Sequence, residues 1–223
     1  MQRGGRGRRN KAFSIHWNSM SALPRPPSPE KGEKKAKKKT PFLFPRPVLV
    51  YLSSPDPKSR KNQDYLEHLV FRDARVGLGS HFFLCARGSK AEIPQDPLWR
   101  KLLGGKKFPR IVVISRDRKI VLKVEGRIKS SQVLSAMQRV VSWDYKSPSF
   151  HYYINELRKT LIQLGSLRKT AQWMEKVQHS GRTFKRPQLL YLQKQQKKVL
   201  ALIKKLEAKE KKLRDLKLKK RRD

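Results

Sequence analysis

Cysteine is almost missing from this 223-residue chain, in which Cys85 stands alone. A single thiol excludes an intramolecular disulfide, a Cys-x-x-Cys redox pair and a zinc ribbon, and makes a reducing, cytoplasmic setting the expectation. Histidine is scarce too: His16, His68, His81, His151 and His179 are scattered without ligand spacing, so no zinc or other metal site is expected. No apolar run approaches the ~20 residues of a membrane span, and no signal-peptide core is visible. The phosphate-cradling glycine patterns, a Ser-His-Asp order and paired carboxylates are all lacking. No cofactor is expected, and no catalytic residue is assigned. Acidic residues form the last shortage, with 17 Asp+Glu in the whole chain and none before Glu30. An Arg-rich, acid-free N-terminus is one trait of organellar presequences, but the Pro and Lys runs that follow argue against an amphipathic one.

What is abundant is positive charge. Against those acids stand 55 Lys+Arg, a formal net charge of +38. Such an excess repels itself in the compact state and attracts polyanions, either nucleic acid or an anionic membrane surface. It is not confined to one tail: residues 1–40 carry 12 basic and 2 acidic residues, and residues 47–143 carry 19 and 8. A basic globular part with basic arms suits a nucleic-acid or ribonucleoprotein partner. The plainer alternative is a very soluble basic protein, since charge alone is promiscuous.

Three regions follow from composition. Residues 1–46 read as a disordered basic arm, running from MQRGGRGRRNK through LPRPPSP to EKGEKKAKKKT. Such tracts bury too little apolar area to offset the entropy of ordering. Ala12–Trp17 is its apolar island, available to dock on the folded part or on a partner. Residues 47–143 read as a compact α/β domain. VLVYL (48–52), HFFLCA (81–86), RIVVIS (110–115) and KIVLKV (119–124) are strand candidates, the last two joined by a tight turn at Arg116-Asp117-Arg118. NQDYLEHLVF (62–71), DPLWRKLL (96–103) and SSQVLSAMQRVVSW (130–143) carry helical patterns, the second with Asp96 as N-cap and Pro97 at its first position.

Residues 144–223 read as two basic helices. The first opens at Ser147-Pro148 and repeats apolar residues at Phe150, Tyr153, Leu157, Leu164, Leu167, Ala171 and Met174. In the second, Leu192, Val199, Leu206 and Leu213 are spaced by sevens, with Leu202 and Leu216 three residues after two of them and Gln195 and Lys209 at the remaining inner positions. A break at His179-Ser180-Gly181 leaves two options: an antiparallel hairpin, or helices that pair with another chain, including a second copy.

The order β-α-β-α-β-β-α, with Phe108-Pro109 immediately before the third strand, resembles the thioredoxin fold. The apolar strand Val48–Ser53 is similar to the family's central strand leading to its active-site turn, Pro109 to its cis-proline, and Gly126 to the glycine closing its last strand. The resemblance covers residues 47–143 and implies a central mixed sheet flanked by helices. It also places Pro57, Lys58, Ser59 and Arg60 where the family carries Cys-x-x-Cys. Disulfide exchange needs a thiolate and a resolving thiol, so a divergent, redox-inactive member is expected. Lys58, Arg60 and Lys61 around a helix start offer an anion site; the alternative is that Asp56 simply caps that helix and the cations are solvated. Cys85, in an apolar strand, reads as a small buried hydrophobe, with single-cysteine redox chemistry as the remaining option.

The expected function is a non-catalytic binding scaffold associating with nucleic acid or a ribonucleoprotein through phosphate contacts. Lys34, Lys35, Lys37, Lys38, Lys39, Lys219, Lys220, Arg221 and Arg222 are the candidate positioning charges, and the RGGRGRR opening resembles RNA-binding RGG segments. The competing reading is a protein-interaction module that dimerises or docks through its C-terminal helices. Of the tryptophans, Trp99 and Trp143 are expected in the core, Trp173 at the helical seam or its edge, and Trp17 remains available for stacking on a base.

Overall fold

The structure, a computed structural model, describes residues 13–25, 43–146, 149–180 and 186–219. It is a mixed α/β molecule with a five-stranded sheet flanked by helices and a long C-terminal helix pair. Two compact units result: residues 1–150 with 217–223, and residues 151–216.

In the first unit the strands are β1 (Asn18–Ser19), β2 (Val48–Ser53), β3 (Leu84–Ser89), β4 (Arg110–Ile114) and β5 (Ile120–Glu125), in spatial order β1-β3-β2-β4-β5. β3 runs parallel to β2, Leu49 opposite Cys85, while β4 is antiparallel to both β2 and β5. Val48 through Leu52 are all fully buried, which explains why the strand is apolar at every position rather than at alternate ones. β5 is an edge strand and carries Lys123 and Glu125 on exposed positions, as edges that must avoid pairing do. The β4–β5 turn closes through Arg118, which adopts φ 66°, and the Ser115 amide donates to the Lys119 carbonyl at 3.0 Å.

One face of the sheet is packed by Val48, Val50, Leu52, Ala86, Val112 and Ile114 against Trp99, Leu102 and Leu103 of helix α3 (Pro97–Leu103). α3 starts as its sequence dictates, Asp96 Oδ1 accepting from the Leu98 amide at 2.8 Å with Pro97 in the first turn. On the other face Tyr51 meets Phe71 edge-on at 4.9 Å. Helix α1 (Arg60–Tyr65) continues as a π-helical run over Leu66–Val70, followed by α2 (Ala74–Gly79). Helix α4 (Ser130–Asp144) packs against α2, β4 and β5 and buries Val133, Met137 and Val140.

Several expectations are corrected here. The arm does not lie wholly outside the fold: β1 pairs with β3, Met20 and Leu23 are buried in the core, and the Trp99 indole donates to the Pro24 carbonyl at 3.0 Å. The backbone of Phe13 lies so close to Gly77 that a Cβ there would sit 1.8 Å from the Phe13 carbonyl oxygen. His81 and Phe82 belong to a 3-10 turn, and the strand expected from residue 81 starts at Leu84. Trp143, expected in the core, is 52% exposed because it lies past Val141, the last buried position of α4. The last region does not extend unbroken from residue 144, because the Lys146 amide donates to the Lys217 carbonyl and the Lys219 amide to the Asp144 carbonyl, both at 2.8 Å. That pairing returns residues 217–219 to the first unit.

The second unit is built from α5 (Phe150–Gln178) and α6 (Arg186–Arg214). Gln178 bonds Gln196 at 3.0 Å, Arg168 bonds Glu207 at 2.7 Å and Lys209 bonds Glu156 at 2.8 Å. Positions descend on α5 as they rise on α6, so the helices pair antiparallel. On α6 the heptad positions Leu192, Val199, Leu206 and Leu213 are half-buried, and the first three have inner partners four residues on, with Ile203 9% exposed and Leu202 49% exposed. Ile203 and Glu210 therefore replace Leu202 and Lys209 as inner positions, while Gln195 and Gln196 are both half-buried. The Ser147-Pro148 helix start lies outside the described residues. Among the described residues no helix is long and apolar enough to cross a membrane.

Candidate functional site

The C-terminal end of β2 opens on residues 54–60. Asp56 Oδ1 accepts from the Lys58 amide at 2.9 Å and Pro57 occupies the first turn, so the Pro57–Ser59 3-10 turn is capped by its own sequence. The Ser59 hydroxyl donates to the Phe108 carbonyl at 3.1 Å. The Phe108–Pro109 peptide bond is cis, and the Gly126 amide (φ 81°) donates to the Pro109 carbonyl at 2.8 Å. The turn, the proline loop and the end of β5 thus converge. They line a cavity of about 590 Å³ with Asn62, Lys107 and Arg127 on its walls.

The groups in this cavity are poor nucleophiles. A serine attacks only when a base takes its proton, and here that proton is directed at a carbonyl oxygen. None of the chain's histidines lines the cavity. Cys85 is far away: it pairs with Leu49, four residues before Ser53, or about 13 Å along the strand at ~3.3 Å per residue. It is 3% exposed, its Sγ contacts the Ser80 carbonyl at 3.6 Å, and burial pushes its thiol up to about 12. A thiol held protonated in an apolar wall has neither the thiolate nor the access that exchange requires.

Lys58, Arg60 and Lys61 are exposed at the start of α1. The Asp56 carboxylate takes the first free N–H there, so the geometry is that of a self-capped turn surrounded by solvated cations.

Beside this turn lies a residue that hydropathy alone conceals. Arg110 opens β4 fully buried, donating to the Leu103 carbonyl (2.6 Å), the Lys107 carbonyl (2.9 Å) and Glu125 (2.6 Å). Its guanidinium stacks on the Phe108 ring at 4.7 Å. Gly105 is required for this approach, since a Cβ there would lie 2.1 Å from Arg110 Nη2. The sequence signal was a lone arginine directly after a proline, at the head of an otherwise apolar run.

The strongest electrostatic feature is α6. α5 and α6 together carry 15 Lys/Arg and four Glu. Lys197-Lys198, Lys204-Lys205 and Lys211-Lys212 repeat every seven residues and are all exposed. Seven residues at 1.5 Å each place these pairs about 10.5 Å apart along one side of the helix, away from its buried seam. Of the four Glu, Glu156 is bound by Lys159 and Lys209, Glu207 by Arg168 and Glu210 by Arg214, leaving a large cationic surplus. Of the charges expected to meet phosphate, Lys34, Lys35, Lys37, Lys38, Lys39, Lys220, Arg221 and Arg222 lie outside the described residues. Lys219 is placed at the end of α4, its Nζ donating to the Ser142 carbonyl at 2.6 Å. Trp173 is 59% exposed, outside the α5 seam. Among the described residues no group of three His, Cys, Asp or Glu could hold a metal ion.

No protein-family model, curated protein or solved structure matches this chain.

Proposed function

We propose that this protein is a redox-inactive, thioredoxin-like scaffold that binds nucleic acid, free or within a ribonucleoprotein, through its cationic C-terminal helix pair. The strand order with parallel β2 and β3 and antiparallel β4 and β5, together with a cis X-Pro bond facing the turn after the central strand, supports the thioredoxin-like reading. Pro57 and Arg60 occupy the two sulfur positions of that turn, and the chain's one thiol is buried in the sheet. Disulfide exchange of the family's type therefore has no pair of thiols to run on, which supports a non-catalytic role, and the lone cysteine is compatible with a reducing, cytoplasmic setting.

The observation that carries the binding role is the seven-residue repeat of lysine pairs on α6. Exposed cations at this density raise the free energy of the compact state through self-repulsion, and a polyanion relieves it by counterion release. Titrating the full chain with single-stranded RNA and with duplex DNA over a salt series tests the reading. Affinity that falls linearly on a log–log salt plot is expected; no binding at low salt refutes it.

A protein-docking role is favoured by a different observation. Leu190, Tyr191, Leu200 and Leu202 expose 58%, 65%, 46% and 49% of their surface on α6. Sedimentation of the chain across a concentration series tests self-association through these residues. A monomer throughout would restrict the docking reading to a heterologous partner.

A further inference from the structure

The first unit contains a second cavity, unrelated to the β2 turn, of about 520 Å³. That volume falls within the roughly 300–1,000 Å³ of small-ligand sites. Its floor is aromatic. Trp17 meets Phe71 edge-on at 5.1 Å and tilts against Tyr51 at 6.1 Å, with Phe13 completing the lining. Trp17 is only half-buried, so part of its ring remains available.

The walls are polar and carry two arginines. Arg87 lies over the Tyr51 ring at 5.3 Å and is fixed by an ion pair to Glu67 at 2.6 Å. His68 and Arg72 are exposed at the rim, and Arg72 has no ion-pair partner among the described residues. Glu67 and His68 both come from the π-helical run Leu66–Val70. π-Helical turns are rare, cost regular hydrogen bonding, and recur at functional sites. The run changes the register between α1 and Phe71, bringing Glu67, His68 and Phe71 to one cavity.

We infer that this cavity binds one unstacked nucleobase carrying a phosphate. A flat π-face suits Trp17, and the attached anion suits Arg72 at the rim, an aromatic–cation pairing by which single strands are held without sequence readout. With Glu67 taken up by Arg87, Arg72 is the free cation at the rim among the described residues, and a purely apolar ligand would leave it without a role. The inference rests on the nucleic-acid reading above and adds base recognition to it. Electrostatic contacts along α6 read phosphates alone. The site turns that contact into one that requires bases.

The test uses the full chain, an oligothymidylate octamer and an octamer of abasic deoxyribose phosphates, compared by fluorescence anisotropy at matched points of a salt series. At least fivefold tighter binding of the base-bearing octamer is expected, the low end of one stacked base. Trp17→Leu keeps the apolar volume and removes most of the π-face, so it abolishes that preference, whereas Trp17→Phe retains it. A merely structural Trp17 would make the two variants behave alike, which overturns the site. Arg72→Ala weakens both octamers and lowers the salt slope by about 0.7, the value of one phosphate contact on a single strand. Thymidine monophosphate serves as the free-nucleotide arm. Binding that Trp17→Leu abolishes assigns the cavity to free nucleotides as well; octamer preference without it assigns the cavity to bases within a strand. Equal affinity for both octamers with the salt slope intact overturns the base site and leaves the polyanion reading standing. No binding of either octamer at low salt overturns both.

Discussion

Arg110 offers the sharpest test of how the proline loop is held. Its guanidinium is fully buried, and of its three bonds only the one to the Leu103 carbonyl (2.6 Å) is itself buried; those to Lys107 and Glu125 are part-exposed. Replacing it with methionine keeps the apolar stem and removes the fork. Glu125, whose side chain is 34% exposed, and Lys107 can then turn to water, but the Leu103 carbonyl cannot. An orphaned buried acceptor costs about 1–3 kcal/mol. Losing the charge also relieves a desolvation penalty, which works in the opposite direction. The orphan dominates, and Arg110→Met is expected to lose about 2 kcal/mol. Arg110→Ala adds a void to the same loss and should cost about 3–5 kcal/mol, the range for large-to-small changes in a core. Guanidinium denaturation followed by tryptophan fluorescence measures both, since Trp99 is fully buried in the same unit. A methionine variant as stable as the parent would instead show the buried charge to be a net liability, with the orphaned Leu103 carbonyl costing no more than the charge's desolvation. Gly105→Ala, which drives a methyl into the same guanidinium, should parallel the alanine variant.

Two further outcomes follow from burial. With its thiol held near 12, Cys85 should alkylate about a thousandfold more slowly in the native state at neutral pH than in the unfolded chain, from the thiolate fraction alone. The unfolded thiol loses its proton first, near 9, while the folded one keeps it. Stability is thus unaffected below about pH 9 and falls by up to about 1.4 kcal/mol per pH unit toward pH 12. A pH series of denaturation curves for the parent and Cys85→Ala isolates this slope, which the alanine variant should lack. On α6, Ile203→Ala should cost about 2–4 kcal/mol and Leu202→Ala less than about 1, measured by urea denaturation; equal costs would contradict the observed seam.

The parts of the fold that were legible in the sequence were those whose pattern is written by burial on both sides or by turn chemistry. β2 is apolar at every position because both faces are covered. α3 is announced by Asp96-Pro97 and the β4–β5 hairpin by Arg116-Asp117-Arg118. What escaped notice depends on contacts distant in sequence. β1 is two polar residues, Asn18 and Ser19, recruited to the edge by backbone pairing and by the Asn18 amide's bond to the Cys85 carbonyl at 3.0 Å. No periodicity reveals so short a strand. On α6, Leu202 and Ile203 are both apolar and lie three and four residues after Val199, so spacing alone does not decide which faces the seam; the packing against α5 buries Ile203. Lys197-Lys198 and its two repeats were visible as residues, yet only the helix places them on one side, opposite the buried positions. The π-helical run at Leu66–Val70 has no sequence signature, and the cavity it helps build was foreshadowed only by Trp17 in an apolar island of a basic arm.

In the proposed function the lysine pairs of α6 grip a polyanion. The most direct measurement is the affinity of the full chain for a single-stranded RNA across salt, beside a Lys197, Lys198, Lys204, Lys205→Gln variant. Each lost phosphate contact removes about 0.7 from the slope of log affinity against log salt on a single strand. A steep parental slope that becomes shallower by up to about 3 in the variant is predicted. Identical slopes for the two proteins, or no RNA binding at low salt, would contradict it.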